Sequence, residues 1–431
     1  MQIRVERLAY GGDGIGRLED GRTAFIKGGC PGDLVDVHID VEHARYAKTT
    51  VMQVIEPSSD RIAPPCPYFG TCGGCQWQHV SYDAQLMAKR SAVAEALHRI
   101  GHQDVTVDPC VPSARQYGYR NKIELVAHLD ANGLTIGYMR AGTNEVVRVD
   151  SCLLMPERAH DLPKSLAGCL RYLSGRADLR ILRVGARVAS ATRDLEIALW
   201  TTPGAFPRKM VAETIAQATK ASGVVRVLAR DESAKRSVVG VEVLRGNGAW
   251  RERVLGNDML ISAPSFFQVN TPTAEELVTR ALEALDADGS DRVLDLYSGA
   301  GTFTLPLSEI AGEVVAVEES GAALSDLRRN LERANLWAEI APGDAERALP
   351  NLGRFDLALV DPPRSGMRPG AISALAATGA RRIVYVSCDP ATLARDCDGL
   401  TKCGYHLTRA IPVDLFPQTY HVETIAVLDK T

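Results

Sequence analysis

From about Pro264 onward, short apolar runs alternate with helix-length segments. The runs are residues 293–297 (VLDLY), 314–318 (VVAVE), 357–361 (LALVD) and 383–387 (IVYVS). Strand-like runs spaced by helices predict a doubly wound α/β domain on a mostly parallel sheet. No other pattern in the chain constrains its fold as strongly. Ligands of such sheets bind beyond the carboxyl ends of the strands, so the residues that follow each run are the first candidates for chemistry.

After the first run the chain reads Asp295-Leu296-Tyr297-Ser298-Gly299-Ala300-Gly301-Thr302-Phe303. Glycines there let the backbone approach a ligand and expose N–H groups at a helix start. Glu318 ends the next run, 19 residues beyond Gly299, where a carboxylate can take both hydroxyls of a ribose. The third glycine of a dinucleotide loop is missing, because Phe303 and Thr304 follow. That favours S-adenosylmethionine over a dinucleotide.

Asp361-Pro362-Pro363-Arg364 closes the third run and Cys388-Asp389-Pro390 follows the fourth. The prolines fix φ and remove N–H donors, which sets side-chain direction. The expectation is one cleft lined by Gly299, Glu318, Asp361 and Cys388, with Arg364 as a phosphate-binding cation. A cysteine at a strand end is commonly a small buried hydrophobe, but this location makes Cys388 a candidate nucleophile. Glu423 opens the last apolar strand two residues after His421, either as a surface acid or as a general base.

The first segment, to about residue 58, reads as a small β-barrel of the kind that binds oligonucleotides, with Gly11 to Arg17 as a tight loop. A helix is expected over Tyr82 to Ile100, with Leu86, Met87, Val93, Leu97 and Ile100 on one face. Residues 117–260 read as α+β, with strands including residues 122–129, 134–140, 195–202, 224–230 and 237–244. The expected domains are therefore 1–58, 59–263 and 264–431.

The whole chain carries −4, yet Arg158 to Arg253 holds 18 Lys/Arg against 9 Asp/Glu, a local +9. A basic middle in an acidic chain is either an electrostatic footprint for nucleic acid or a solvated face with scattered arginines. No apolar run reaches the roughly 18–20 residues of a membrane helix, and the N-terminus has no signal-peptide core, so a cytoplasmic protein is expected. Ten cysteines in a reducing compartment call for a metal or catalytic reason where they cluster. Cys66, Cys72 and Cys75 lie within ten residues, with Cys152 far behind. Zinc sites usually pair cysteines two by two, so three plus one favours a [4Fe–4S] cluster.

This set of residues resembles the iron–sulfur-containing uracil-5 RNA methyltransferases over essentially the whole chain. The resemblance implies a multidomain α/β protein: an N-terminal TRAM-like barrel, a central α+β domain carrying the cluster loop, and a C-terminal class I methyltransferase domain. It implies cluster ligation by Cys66, Cys72, Cys75 and Cys152. It implies S-adenosylmethionine contacts from Gln268 of Ser265-Phe266-Phe267-Gln268-Val269-Asn270, and from Tyr297, Gly299, Thr302, Glu318, Asp344 and Asp361. At position 302 many members carry Asn. Phe266 and Arg364 would face substrate.

Carbon 5 of uracil is a poor nucleophile, and addition of the Cys388 thiolate to carbon 6 would activate it. Glu423 would then remove the carbon 5 proton. The implied substrate is a uridine of 23S rRNA, with the tRNA T-loop second, bound by a monomer. Two readings from other classes stand beside it. One is an inactive iron–sulfur RNA-binding protein, against which the joint presence of Cys388 and Glu423 argues. The other is an adenine-N6 methyltransferase, whose Pro-Pro motif ends in an aromatic where this chain has Arg364.

Overall fold

The computed structural model describes residues 1–130, 133–230 and 238–431. Ser237 of the expected strand 237–244, and Lys235 and Arg236 of the basic segment, lie outside them. The chain divides into two compact units. One comprises Met1–Gln116, Pro363–Met367 and Tyr385–Thr431, and the other Tyr117–Pro362 and Arg368–Val384. The expected boundaries at 58/59 and 263/264 each fall inside a unit, the first within Met1–Gln116 and the second within Tyr117–Pro362.

The first unit opens with a six-stranded, barrel-like sheet in the order Gln2–Arg4, Leu34–Glu42, Tyr46–Glu56, Thr23–Lys27, Gly14–Arg17, Arg7–Leu8. Ile3, Val5, Leu18, Ala24, Ile26, Val35, Val37 and Ala47 form its core. The expected loop from Gly11 to Arg17 is shorter, since Gly14–Arg17 is a strand and only the Ala9–Asp13 turn remains. Gly16 is needed there: a Cβ would stand 2.6 Å from Ile3 Cγ2 and 2.7 Å from the Arg4 carbonyl oxygen.

The helix Tyr82–Arg99 is capped by Ser81, whose hydroxyl accepts the Ala84 N–H. Its buried face is Ala84, Gln85, Lys89, Val93 and Leu97. The apolar face expected from sequence fails at two of its five positions: Met87 is 68% and Ile100 44% exposed. Two polar residues replace them inside because distant partners satisfy them. Lys89 Nζ pairs with the Asp414 carboxylate, and Gln85 bonds to Gln418. The unit ends with residues 385–387 of the strand Arg382–Ser387, the helix Pro390–Thr401 and the antiparallel pair Tyr405–Val413 and Glu423–Lys430.

The second unit begins with a seven-stranded sheet ordered Val238–Arg245, Gly223–Ala229, Leu195–Thr201, Ile181–Val188, Lys122–Asp130, Gly133–Met139, Val146–Val147. Its core takes in the helix Leu162–Ser174 through Leu166, Leu170 and Leu173. A short hairpin, Trp250–Val254 with Asn257–Ile261, leads to the helix Thr271–Leu285. Then come four parallel strands in the order Glu339–Pro342, Glu313–Glu318, Arg292–Leu296, Leu357–Val360. The three inner strands are mostly apolar and buried, as a sheet covered on both faces requires, whereas the edge strand Glu339–Pro342 is partly exposed along its length. All four expected runs are strands, displaced by at most one residue.

Candidate active site

In the second unit, the strand Arg292–Leu296 ends at a sharp turn. The Tyr297 and Ser298 N–H groups both donate to the Val317 carbonyl, at 2.9 and 3.1 Å. Tyr297 takes a left-handed φ of +67°, which a bulky side chain adopts at an energetic cost, and such strain gathers at functional sites. Gly299 follows at φ +57°, and a Cβ there would meet nothing within 4 Å. Open space beside a half-buried turn is what a ligand needs. The Gly299 N–H donates to Glu318 Oε2 at 2.9 Å, and Glu318 Oε1 accepts the Glu319 and Ser320 N–H groups. The sequence-expected pair Gly299 and Glu318 is thus joined directly. Thr302 is half-buried in the same loop.

Two carboxyls lie behind this loop. Asp295 is fully buried, with Oδ2 accepting the Thr304 hydroxyl at 2.5 Å and Oδ1 left without a partner. Burial pushes its pKa up to about 7, with the Thr304 bond opposing and the Glu318 charge adding. Asp361 keeps part of its surface open, yet desolvation by the surrounding protein, followed by the Asp295 charge, raises it to about 7 as well. Asp295 is a site residue that sequence reading passed over, although it begins the glycine motif.

Gln268 is 5% exposed, and its Oε1 has no partner. Its backbone is held by Asn121, whose Nδ2 donates to the Gln268 carbonyl at 2.9 Å. Ser265, at the head of the same segment, donates to Asp326 Oδ2 at 2.6 Å. Phe266 projects outward, 69% exposed. Asp344 caps the short helix Ala345–Ala348 and pairs with Arg368, so its carboxylate is already engaged.

In the first unit, Cys388 stands half-buried between the strand Arg382–Ser387 and the helix Pro390–Thr401. Asp389 caps that helix by accepting the Ala391 and Thr392 N–H groups, each at 3.0 Å. Residue 388 therefore sits beside the positive end of a helix dipole. The Tyr10 hydroxyl donates to Asp389 Oδ2 at 3.3 Å and reaches the Cys388 carbonyl at 3.5 Å. Burial, then the Asp389 charge, pushes that hydroxyl up, so it is a donor at neutral pH. The Tyr10 ring meets Tyr420 edge-on at 5.3 Å, and Tyr420 lies 4.2 Å from His421. Arg364 is exposed and its Nη2 donates to His421 Nδ1 at 3.0 Å, which requires the neutral imidazole. Glu423 is 3% exposed and pairs across the strands with Val413.

Tyr10, Tyr420 and His421 were not expected as site residues, because no local pattern marks a contact across 378 positions. Four cysteines are sealed away: burial raises Cys30 and Cys169 to about 11 and Cys110 to about 12, and Cys397 beyond that. Cys388 shares half-burial with Cys66, Cys72, Cys75 and Cys152. In the cysteine loop, the Gly74 N–H donates to Cys72 Sγ at 3.4 Å. Among the described residues, no three His, Cys, Asp or Glu side chains are grouped to hold a metal ion.

The glycine loop on a parallel sheet and its flanking carboxylates define the class: an S-adenosylmethionine-dependent methyltransferase. The TRAM domain family matches residues 1–52, the methyltransferase small domain residues 278–382, and the tRNA (uracil-5-)-methyltransferase family residues 351–431. An uncharacterised RNA methyltransferase of Clostridium tetani is 35% identical, over 99% of this chain and 95% of that protein. One of Thermosynechococcus vestitus is 33% identical, over 99% and 97%. The crystal structure of Pyrococcus abyssi tRNA (uracil-54, C5)-methyltransferase with S-adenosyl-L-homocysteine superimposes with a TM-score of 0.77 at 26% identity, covering 99% of this chain and all of that one. The chain belongs to the uracil-5 RNA methyltransferase family.

The two raised carboxyls set a sign for the pH dependence of stability. Between about pH 4 and 7 the folded chain keeps protons that the unfolded chain has lost, so their contribution falls as pH rises. Asp361→Asn removes one such proton and relieves Asp295 of a neighbouring charge. Urea midpoints at pH 5 and pH 7.5 are expected to differ less in this variant than in the parent, and an equal or larger difference would contradict the buried-carboxyl assignment.

Proposed function

We propose that the chain methylates carbon 5 of a uridine in 23S rRNA, with Cys388 as nucleophile and Glu423 as base. The observation that carries this is the pairing, in one compact unit, of a half-buried thiol at a helix start with a carboxylate 3% exposed at the start of the last strand. The Cys388 thiolate adds to carbon 6, and the displaced electron pair makes carbon 5 nucleophilic. S-adenosylmethionine, when bound, supplies the electrophilic methyl group. Glu423 takes the carbon 5 proton, the double bond re-forms, and the Cys388 sulfur leaves with its electron pair.

On this reading Gln268, Tyr297, Gly299, Thr302, Glu318, Asp344 and Asp361 hold the cofactor. The unpartnered Gln268 oxygen, the open space at Gly299 and the acidic pair Asp295 and Asp361 suit a ligand with polar ends and a positive sulfur. Asp344 acts only by giving up its bond to Arg368. Phe266 offers a ring on which a flipped base stacks, and Arg364 a cation for phosphate. The reading includes a cytoplasmic monomer, which sedimentation of the purified chain tests; no described helix is long and apolar enough to cross a membrane.

Cys66, Cys72, Cys75 and Cys152 would hold a [4Fe–4S] cluster. The residue type suits such a group, with half-buried thiols and an N–H donated to the Cys72 sulfur, although the described side chains are not grouped to hold a metal ion. The thiolates would ligate the group, which would fix the loop. Anaerobically purified protein is expected to contain iron and sulfide in equal amounts and to lose both in Cys75→Ser. Stoichiometric zinc instead would remove the assignment.

The TRAM barrel together with the four cysteines favours rRNA. A second reading, the tRNA T-loop, is favoured by the full-length likeness to the Pyrococcus abyssi enzyme, whose name specifies uracil 54 of tRNA. Mapping 5-methyluridine in rRNA and tRNA of a deletion strain separates them: loss of one site in 23S rRNA is expected, and loss in the T-loop moves the substrate. Cys388→Ala is expected to abolish turnover while still binding S-adenosylmethionine. Glu423→Gln is expected to accumulate a covalent protein–RNA adduct that survives denaturing electrophoresis. Turnover by Cys388→Ala would end the covalent mechanism.

A further inference from the structure

The strands Tyr405–Val413 and Glu423–Lys430 are joined by residues 414–422, although antiparallel neighbours commonly need about two to five. Connections of that length ordinarily run over the surface. This one is inside: Asp414 and Leu415 are 0%, Gln418 1%, Thr419 4% and Val422 0% exposed. Its backbone polar groups must therefore find partners within the protein.

They find them on two elements of the same unit. From the helix Tyr82–Arg99, Gln85 Nε2 lies 3.1 Å from Gln418 Oε1, and Gln85 Oε1 accepts the Gln418 N–H at 3.0 Å. Lys89 Nζ pairs with Asp414 and donates to the Phe416 carbonyl at 3.0 Å. From the segment directly after Cys75, the Gln76 and Trp77 N–H groups both donate to the Gln418 carbonyl at 3.0 Å. Gln85 Nε2 also reaches the Trp77 and Val80 carbonyls, at 3.1 and 3.0 Å. Gln418 is thus bonded through its N–H, its carbonyl and its side chain, and it holds a left-handed φ of +70°. The Thr419 hydroxyl closes the turn on the Phe416 carbonyl at 2.8 Å. The chain then passes through Tyr420 and His421 to Glu423.

Apolar side chains of equal volume would fill this space at less desolvation cost, so a buried polar node specifies a conformation more than it adds stability. We propose that Gln85 and Gln418 are positioning residues for the reaction: they fix the segment that carries Glu423 and tie it to the backbone one residue beyond Cys75. The inference rests on Glu423 being the base. The cysteine loop and the base-bearing segment then share one hydrogen-bond node, so displacement of the loop displaces the base.

Gln85→Met keeps the volume and removes the four hydrogen bonds of the Gln85 side chain, leaving the Lys89 and main-chain bonds to the segment. With RNA carrying tritium on carbon 5 of uridine, proton release is expected to fall about tenfold or more, given what a positioned base contributes. The covalent adduct should accumulate, S-adenosylmethionine affinity should be unchanged, and 5-fluorouridine RNA should still be trapped in full. A purely structural lesion would lower adduct and release together. Release within about twofold of the parent, a factor worth only some 0.4 kcal/mol, overturns the proposal. So does loss of release without adduct while Glu423→Gln does accumulate it. If Glu423→Gln also forms none, the assignment of the base has failed and the node falls with it. Should Gln85→Met not fold, Gln418→Gly decides: glycine accepts the φ and loses only the side-chain bond. A longer-lived adduct is expected, and a parent-like lifetime overturns the inference.

Discussion

The parallel hydrogen bonding of the strand Arg292–Leu296 to a neighbour on each side sets up the cofactor half of this protein. With both edges satisfied, the strand runs up to the Val317 carbonyl, which accepts the Tyr297 and Ser298 N–H groups, and there the chain turns into the glycine loop. That geometry brings Asp295, Glu318 and Asp361 to one end of the sheet. Crowding acids in a desolvated place is costly, and the protein meets the cost by raising two of them to about 7. A ligand with a positive centre relieves the same cost, which is why the site reads as one for a sulfonium cofactor.

The other half is organised by burial of a different kind. Cys388 gains its character from what it lacks: it is not sealed in apolar packing, as four other cysteines of the chain are. Around it are an aromatic group of Tyr10, Tyr420 and His421, and one exposed cation, Arg364. Glu423 is held from behind by a buried loop whose polar groups are matched by Gln85 and Lys89. The barrel contributes Tyr10 to this group, so the N-terminal TRAM region helps build the surroundings of Cys388 as well as offering a surface for RNA.

Reading the sequence succeeded where the signal is local. The four apolar runs of the sequence are strands to within one residue, because burial on both faces demands continuous apolar runs, while the partly exposed edge strand Glu339–Pro342 carries no such run. The sequence marks Gly299 and Glu318 as residues of one loop region, and the hydrogen bond that joins them belongs to the tertiary structure. The helix Tyr82–Arg99 was found, but its face was misread at Met87 and Ile100. Periodicity assumes that the inside is apolar, and Gln85 and Lys89 are inside because Gln418 and Asp414, more than 300 positions away, satisfy them. The Gly11–Arg17 loop was read too long, since glycines there serve close packing in a strand as much as a turn.

The sequence by itself determined the class of fold, the glycine loop and the motifs around Cys388 and Glu423. It could do so because strand burial, turn chemistry and residue type are written into neighbouring positions. Only the tertiary structure decided which cysteines are sealed, which polar groups are buried, and which aromatic residues stand beside the candidate nucleophile. Those properties depend on desolvation and on partners brought together from remote parts of the chain, and no local pattern encodes them.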